Sequence, residues 1–138
     1  MKNKITGKIQ SEKGFYIGDI CYVLDDATYH GVWGGAGYEG GIYEVPGTGY
    51  SFAAAHTAYG DGIYTDDGGH EYDVDAGNIG LVPLELVEDG TTAGGQVFDV
   101  PGEAYFEACD GVFEIELPDG DTVIIDTRDE EDGEDGYY

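Results

Sequence analysis

Residues 59–80, YGDGIYTDDGGHEYDVDAGNIG, hold six acids, a histidine, three tyrosines and six glycines. Side chains of these types can hold a cation, move protons, or act through charge alone. A calcium loop is the first template, because Asp73 and Asp75 alternate as its leading ligands do. Counted from Asp73, however, the fifth position is Gly77, the sixth Asn78 and the twelfth Leu84. An EF-hand needs glycine at the sixth and a bidentate glutamate at the twelfth, so the pattern fails where it matters. Asp61, Asp66 and Asp67 offer only the weak cation binding of any acidic cluster. Zinc is no better served: His30, His56 and His70 are far apart, and neither Cys21 nor Cys109 has a CxxC or CxxH neighbour. Nucleophilic catalysis needs a cysteine or serine beside a histidine. Cys21 lies in an apolar run between Ile20 and Tyr22, and the two serines, Ser11 and Ser51, sit in no GxSxG. Thirty acids supply carboxylate pairs at every separation, so a glycosidase-type pair carries no information. GGAGYEGG (34–41) lacks the lysine and the strand–helix setting of a phosphate loop. These residues indicate neither an enzyme nor a metal or organic cofactor.

Charge is left, and it is extreme. Thirty Asp and Glu against five Lys and Arg give a formal net charge of −25, where solubility alone favours a magnitude of roughly 2–8. Lys2, Lys4, Lys8 and Lys13 lie near the start, and the next basic residue is Arg128. Such unpaired charge repels itself in a compact chain. It excludes direct binding to nucleic acid or to an anionic membrane, and it favours a cationic partner. A halophilic or merely solvating acidic surface is the plain alternative.

The elements that carry these acids read as strands. At 138 residues, with 41% hydrophobic residues and 25 glycines, the chain suits one β-rich domain with many turns. ITGKIQ (5–10) and FYIGDICYVL (15–24) are strand candidates. DDATYHGVW (25–33) is the helix candidate, with Asp25 or Asp26 as N-cap and Gly34-Gly35 as its end. GGAGYEGG then reads as a flexible loop. GIYEVP, GYSFAAAHTAY, GIYTD, HEYDVD and IGLVPLELV follow as strands, Pro83 marking an end or an edge. After EDGTTAGG come QVFDVP, EAYFEAC, VFEIEL and TVIIDT, the last two a hairpin across PDGD (118–121). The expected fold is mainly β: a single-domain antiparallel sandwich or barrel over 1–127 with one short helix. RDEEDGEDGYY (128–138) is expected to be a mobile acidic tail.

On a strand, residues i and i+2 point the same way, about 6.7 Å apart. Glu71/Asp73/Asp75, Glu114/Glu116 and Asp119/Asp121 can each form such a row. The rise matches every second phosphate of one duplex strand, at about 3.4 Å per phosphate. Sheet faces alternate polar and apolar in any case, but lysine, a common protector of sheet edges, is missing from these.

Three blocks carry a resemblance: Gly18–Leu24 (GDICYVL), Thr57–Tyr64 (TAYGDGIY) and Tyr72–Pro83 (YDVDAGNIGLVP). They resemble a family of small, uncharacterised bacterial and phage domains with GDxCYV, TxYGDGxY and VDAGxIGxVP blocks, over roughly residues 15–87. The resemblance implies a β-rich fold and no activity; the region from about 95 lies outside it. In composition alone the chain also resembles DNA-mimicking phage inhibitors of host defence, anti-CRISPR proteins and restriction inhibitors among them. The expectation is an acidic inhibitor in the bacterial cytoplasm, non-enzymatic and with no signal peptide. It would occupy the basic PAM- or DNA-binding surface of a host defence nuclease, above all a CRISPR effector. Its expected contacts are Asp61, Asp66, Asp67, Glu71, Asp73, Asp75, Glu114, Glu116, Asp119 and Asp121, with Asp129, Glu130, Glu131, Asp132, Glu134 and Asp135 of the tail. The alternatives are a nucleotide-signal binder, with tyrosines, Trp33 and glycine loops forming a stacking pocket, and a weakly cation-binding acidic structural protein.

Overall fold

Buried apolar residues alternate along most strands, and three central strands are buried on both faces; that difference sets the layers. The computed structural model describes residues 4–87 and 94–128. In chain order its strands are β1 (Lys4–Ser11), β2 (Phe15–Gly18), β3 (Gly41–Val45), β4 (Tyr50–His56), β5 (Gly62–Thr65), β6 (Glu71–Val74), β7 (Asn78–Pro83), β8 (Gln96–Phe98), β9 (Gly102–Cys109), β10 (Val112–Glu116) and β11 (Thr122–Asp126). One sheet runs β1-β9-β10-β11, a second β3-β4-β7-β2-β8, and β5-β6 is a hairpin, every pairing antiparallel. The protein is therefore mainly β and sandwich-like, as the turn-rich sequence implied.

The four-stranded sheet is one-sided. Ile9, Ala104, Phe106, Phe113, Ile115, Val123 and Ile125 point inward, against Phe15, Ile17, Ala53, Ala55, Ile79 and Leu81 of the five-stranded sheet. The hairpin adds Tyr64, Tyr72 and Val74 to the same core. Tyr16, Phe52, Ala54 and Val82 face the opposite way and are covered by Ile20, Val23, Leu24 and Trp33. The five-stranded sheet is thus a middle layer, which is why FYIG, FAAA and NIGLVP read as unbroken apolar runs rather than alternating ones.

Several of the expected elements are corrected here. FYIGDICYVL is not one strand: it stops at Gly18, and Asp19 turns it into a short 3-10 helix, Ile20–Tyr22, its carboxylate accepting the Cys21 amide at 2.9 Å. The helix α1 (Ala27–Trp33) is wound in the wide π register and capped by Asp25, whose carboxylate accepts the Thr28 amide at 2.8 Å. It ends at Trp33 with Gly34 as its C-cap, as expected. A separate 3-10 turn follows, Gly34–Ala36, and Gly37, at φ 78°, reverses the chain. The loop that follows is not a slack glycine linker. Tyr38 packs perpendicular to Trp33 with ring centres 5.4 Å apart, and the Trp33 indole N–H donates to the Glu39 carbonyl at 2.8 Å. IGLVPLELV likewise ends as a strand at Pro83 and turns through Leu84–Leu86. No helix among the described residues is long and apolar enough to cross a membrane.

Candidate acidic interface

The two segments expected to carry acid rows meet along one seam. Asp66, just past β5, forms an antiparallel bridge with Ile125 of β11. The next residue, Asp67, donates its amide to the Ile124 carbonyl at 3.0 Å, and its carboxylate accepts the Ile124 amide at 3.2 Å. The hairpin is thereby appended to the four-stranded sheet in the order β6-β5-β11-β10-β9-β1. Tyr64 and Tyr72 share the core with Ile125. By alternation the exposed Ile63, Thr65, Glu71 and Asp73 therefore lie on the outer side with Ile124, Glu114 and Glu116.

That outer face has an order sequence reading did not supply. Glu71 and Asp73 form one acid rail on β6, opposite Thr65 and Ile63 respectively. Glu114 and Glu116 form a second on β10, opposite Ile124 and Thr122. The rails lie three strand spacings apart, about 14 Å at about 4.8 Å per spacing. Between them run Ile63, 59% exposed, and Ile124, 37% exposed. Asp126, also in that strip, is clasped by Arg128 through two bonds of 3.0 and 2.9 Å, and that guanidinium holds its carboxyl below the usual carboxylate range. Beyond β10, Glu107 stands directly opposite Glu114; like charges so placed destabilise a sheet. Lys4 lies 3.5 Å from Glu107, and Lys8 lies 4.0 Å from Glu103. The described cations therefore cluster on this sheet and the turns beside it. Among the described residues none of Glu71, Asp73, Glu114 and Glu116 forms an ion pair.

Other expected contact residues sit differently. Asp66 faces inward and is 8% exposed. Its carboxylate accepts the Tyr72 hydroxyl at 2.7 Å and the amides of Gly68 and His70 at 2.8 and 2.9 Å, and pairs with the His70 ring Nδ1 at 3.1 Å. Burial pushes that carboxyl up, but these bonds outweigh it and hold its pKa below the ordinary value. Asp66 is a structural anchor rather than an outward charge. Asp61 is exposed in the turn before β5, and Asp75 is exposed just past the end of β6. Asp119 and Asp121 lie in the β10–β11 turn, where the Asp119 carboxylate accepts the Asp121 amide at 3.1 Å. They are not on a strand, so strand spacing does not describe them. Asp129, Glu130, Glu131, Asp132, Glu134 and Asp135 lie outside the described residues.

No family model, curated protein or solved structure matches this chain. Its site is read from its own chemistry, and one residue in it escaped sequence reading. Asp19 is fully buried, and besides the Cys21 amide it accepts the amides of Asp75 and Ala76 at 2.7 and 2.6 Å. It ties the chain beyond β6 to the middle layer. The signal was an acid inside an apolar run, FYIGDICYVL, at a position where burial demands several donors. Beside it, burial first, then the Asp19 carboxylate, pushes the Cys21 thiol up to about 12. Trp33 is 1% exposed and hence closed to stacking by a ligand. A cleft of about 680 Å³ opens at one end of the sandwich, with Glu39, His56, Cys109 and Asp110 in its wall.

Proposed function

We propose that this protein is an acidic nucleic-acid mimic that occupies the Lys/Arg-lined DNA-binding surface of a host defence nuclease, in the first place a CRISPR effector, and excludes DNA from it. The observation that carries the reading is the pair of strand-held carboxylate rails on β6 and β10, without ion-pair partners among the described residues and separated by a neutral strip. A duplex offers a basic surface two lines of phosphate flanking a groove, and two rails offer it the same pattern. Rigid strands fix the carboxylates in advance, so arginines meeting them bidentately lose less freedom on binding. Ile63 and Ile124 give the strip an apolar contact that a bare charge cloud lacks.

The test is capture from nuclease-treated host lysate along a salt gradient. The expected result is a nucleic-acid-binding protein that elutes as salt rises and is not retained by an E71Q/D73N/E114Q/E116Q variant. Equal retention by that variant contradicts the reading. The end cleft supports a second reading, a small-ligand site, since its volume lies in the range of about 300–1,000 Å³ usual for such sites. The acids in its wall disfavour an anionic nucleotide there.

A further inference from the structure

We infer that Asp66 is the positioning residue that makes the two acid rails a single interface; this rests on the reading of the rails just given. Asp66 itself offers no charge to a partner. Its bonds to Tyr72, Gly68 and His70 close the 66–70 turn, and that turn fixes where the main chain of Asp66 and Asp67 meets β11. The junction is narrow: one bridge, the Asp67–Ile124 amide bond and the Asp67 carboxylate on the Ile124 amide. A two-stranded ribbon is marginal alone, so the junction decides whether β6 extends the four-stranded sheet or drifts from it. The hairpin has other moorings. Tyr64, Tyr72 and Val74 enter the core, the Asp73 amide bonds the Gly94 carbonyl at 2.6 Å, and the Gln96 side chain bonds the Glu71 carbonyl at 3.0 Å. Loss of the Asp66 charge therefore separates the rails while the rest of the fold stands.

The experiment uses the full chain, an oligoarginine peptide as probe, and the variants D66N and Y72F, the second deleting only the hydroxyl donor. Hydrogen exchange reads the seam: in D66N the Asp67 and Ile124 amides exchange at least about tenfold faster while the Phe106 amide in β9 does not change. A D73N/E114Q double-mutant cycle on oligoarginine affinity reads the union of the rails. It gives a coupling of about fivefold in the parent, none in D66N and an intermediate value in Y72F. Slow exchange at Asp67 and Ile124 in D66N, or coupling that survives there, overturns the inference. If D66N fails to fold, Y72F decides by the same two readouts. Should the seam and the coupling respond as stated while the protein displaces no DNA from a host nuclease, the functional reading fails and the positioning role stands.

Discussion

At the scale of single residues, the acids divide into two kinds that composition cannot separate. Asp19 and Asp66 are buried and fully bonded; Glu71, Asp73, Glu114 and Glu116 are exposed and strand-held. The sequence showed the second kind through i, i+2 alternation. It hid the first, because whether an acid points inward depends on donors brought from elsewhere in the chain. Asp66 sits beside an equally acidic neighbour, and only the Tyr72 hydroxyl and the 66–70 turn distinguish it. Replacing Asp66 with alanine strands those donors and destabilises the protein at neutral pH by about 2–3 kcal/mol, read by urea unfolding. Its folded-state pKa is depressed, so the stabilisation is complete above the ordinary carboxylate value of about 3.9 and is lost as pH falls through the lower folded value. The gap between parent and variant therefore closes in strong acid; a gap that stays constant refutes the assignment. Cys21, with its thiol pushed up to about 12, is predicted to resist iodoacetamide at mildly alkaline pH in the folded state and to react on denaturation. Mass spectrometry of the labelled peptide checks this.

At the scale of elements, most strands and the β10–β11 hairpin were legible, since alternation and turn residues are local signals. The failures have tertiary causes. FYIGDICYVL looks continuous because its second half is apolar too, yet that half covers the far face of the middle sheet. The glycine-rich loop looks slack because the rings of Trp33 and Tyr38 that pin it are brought together only by folding. The seam between β5 and β11 was invisible, as pairing across some 60 residues leaves no local trace. One glycine shows how tightly the layers meet. A Cβ at Gly80 would stand 2.4 Å from both the Ala53 carbonyl oxygen and the Ile20 side chain. Gly80→Ala is accordingly expected to destabilise by about 1–3 kcal/mol or to prevent folding, whereas Gly35→Ala, with open space around it, leaves the melting temperature nearly unchanged.

At the scale of the whole molecule, the charge of −25 was plain from the start; its arrangement was not. The basic residues near the start and Arg128 are far apart in the chain, yet β1 and β11 belong to one sheet. The described cations therefore collect on and beside that sheet, and the β6 and β10 rails form no ion pair among the described residues. Self-repulsion of this size predicts that the melting temperature climbs as sodium chloride is raised from low ionic strength; a flat or falling curve contradicts it. The most direct test of the central claim is displacement of duplex DNA from a host CRISPR effector by the purified protein. The account predicts loss of DNA binding at near-stoichiometric protein, weakening as salt rises, and full DNA binding restored when the added protein is E71Q/D73N/E114Q/E116Q. DNA that stays bound in the presence of the parent protein, or that is displaced equally by the variant, contradicts it.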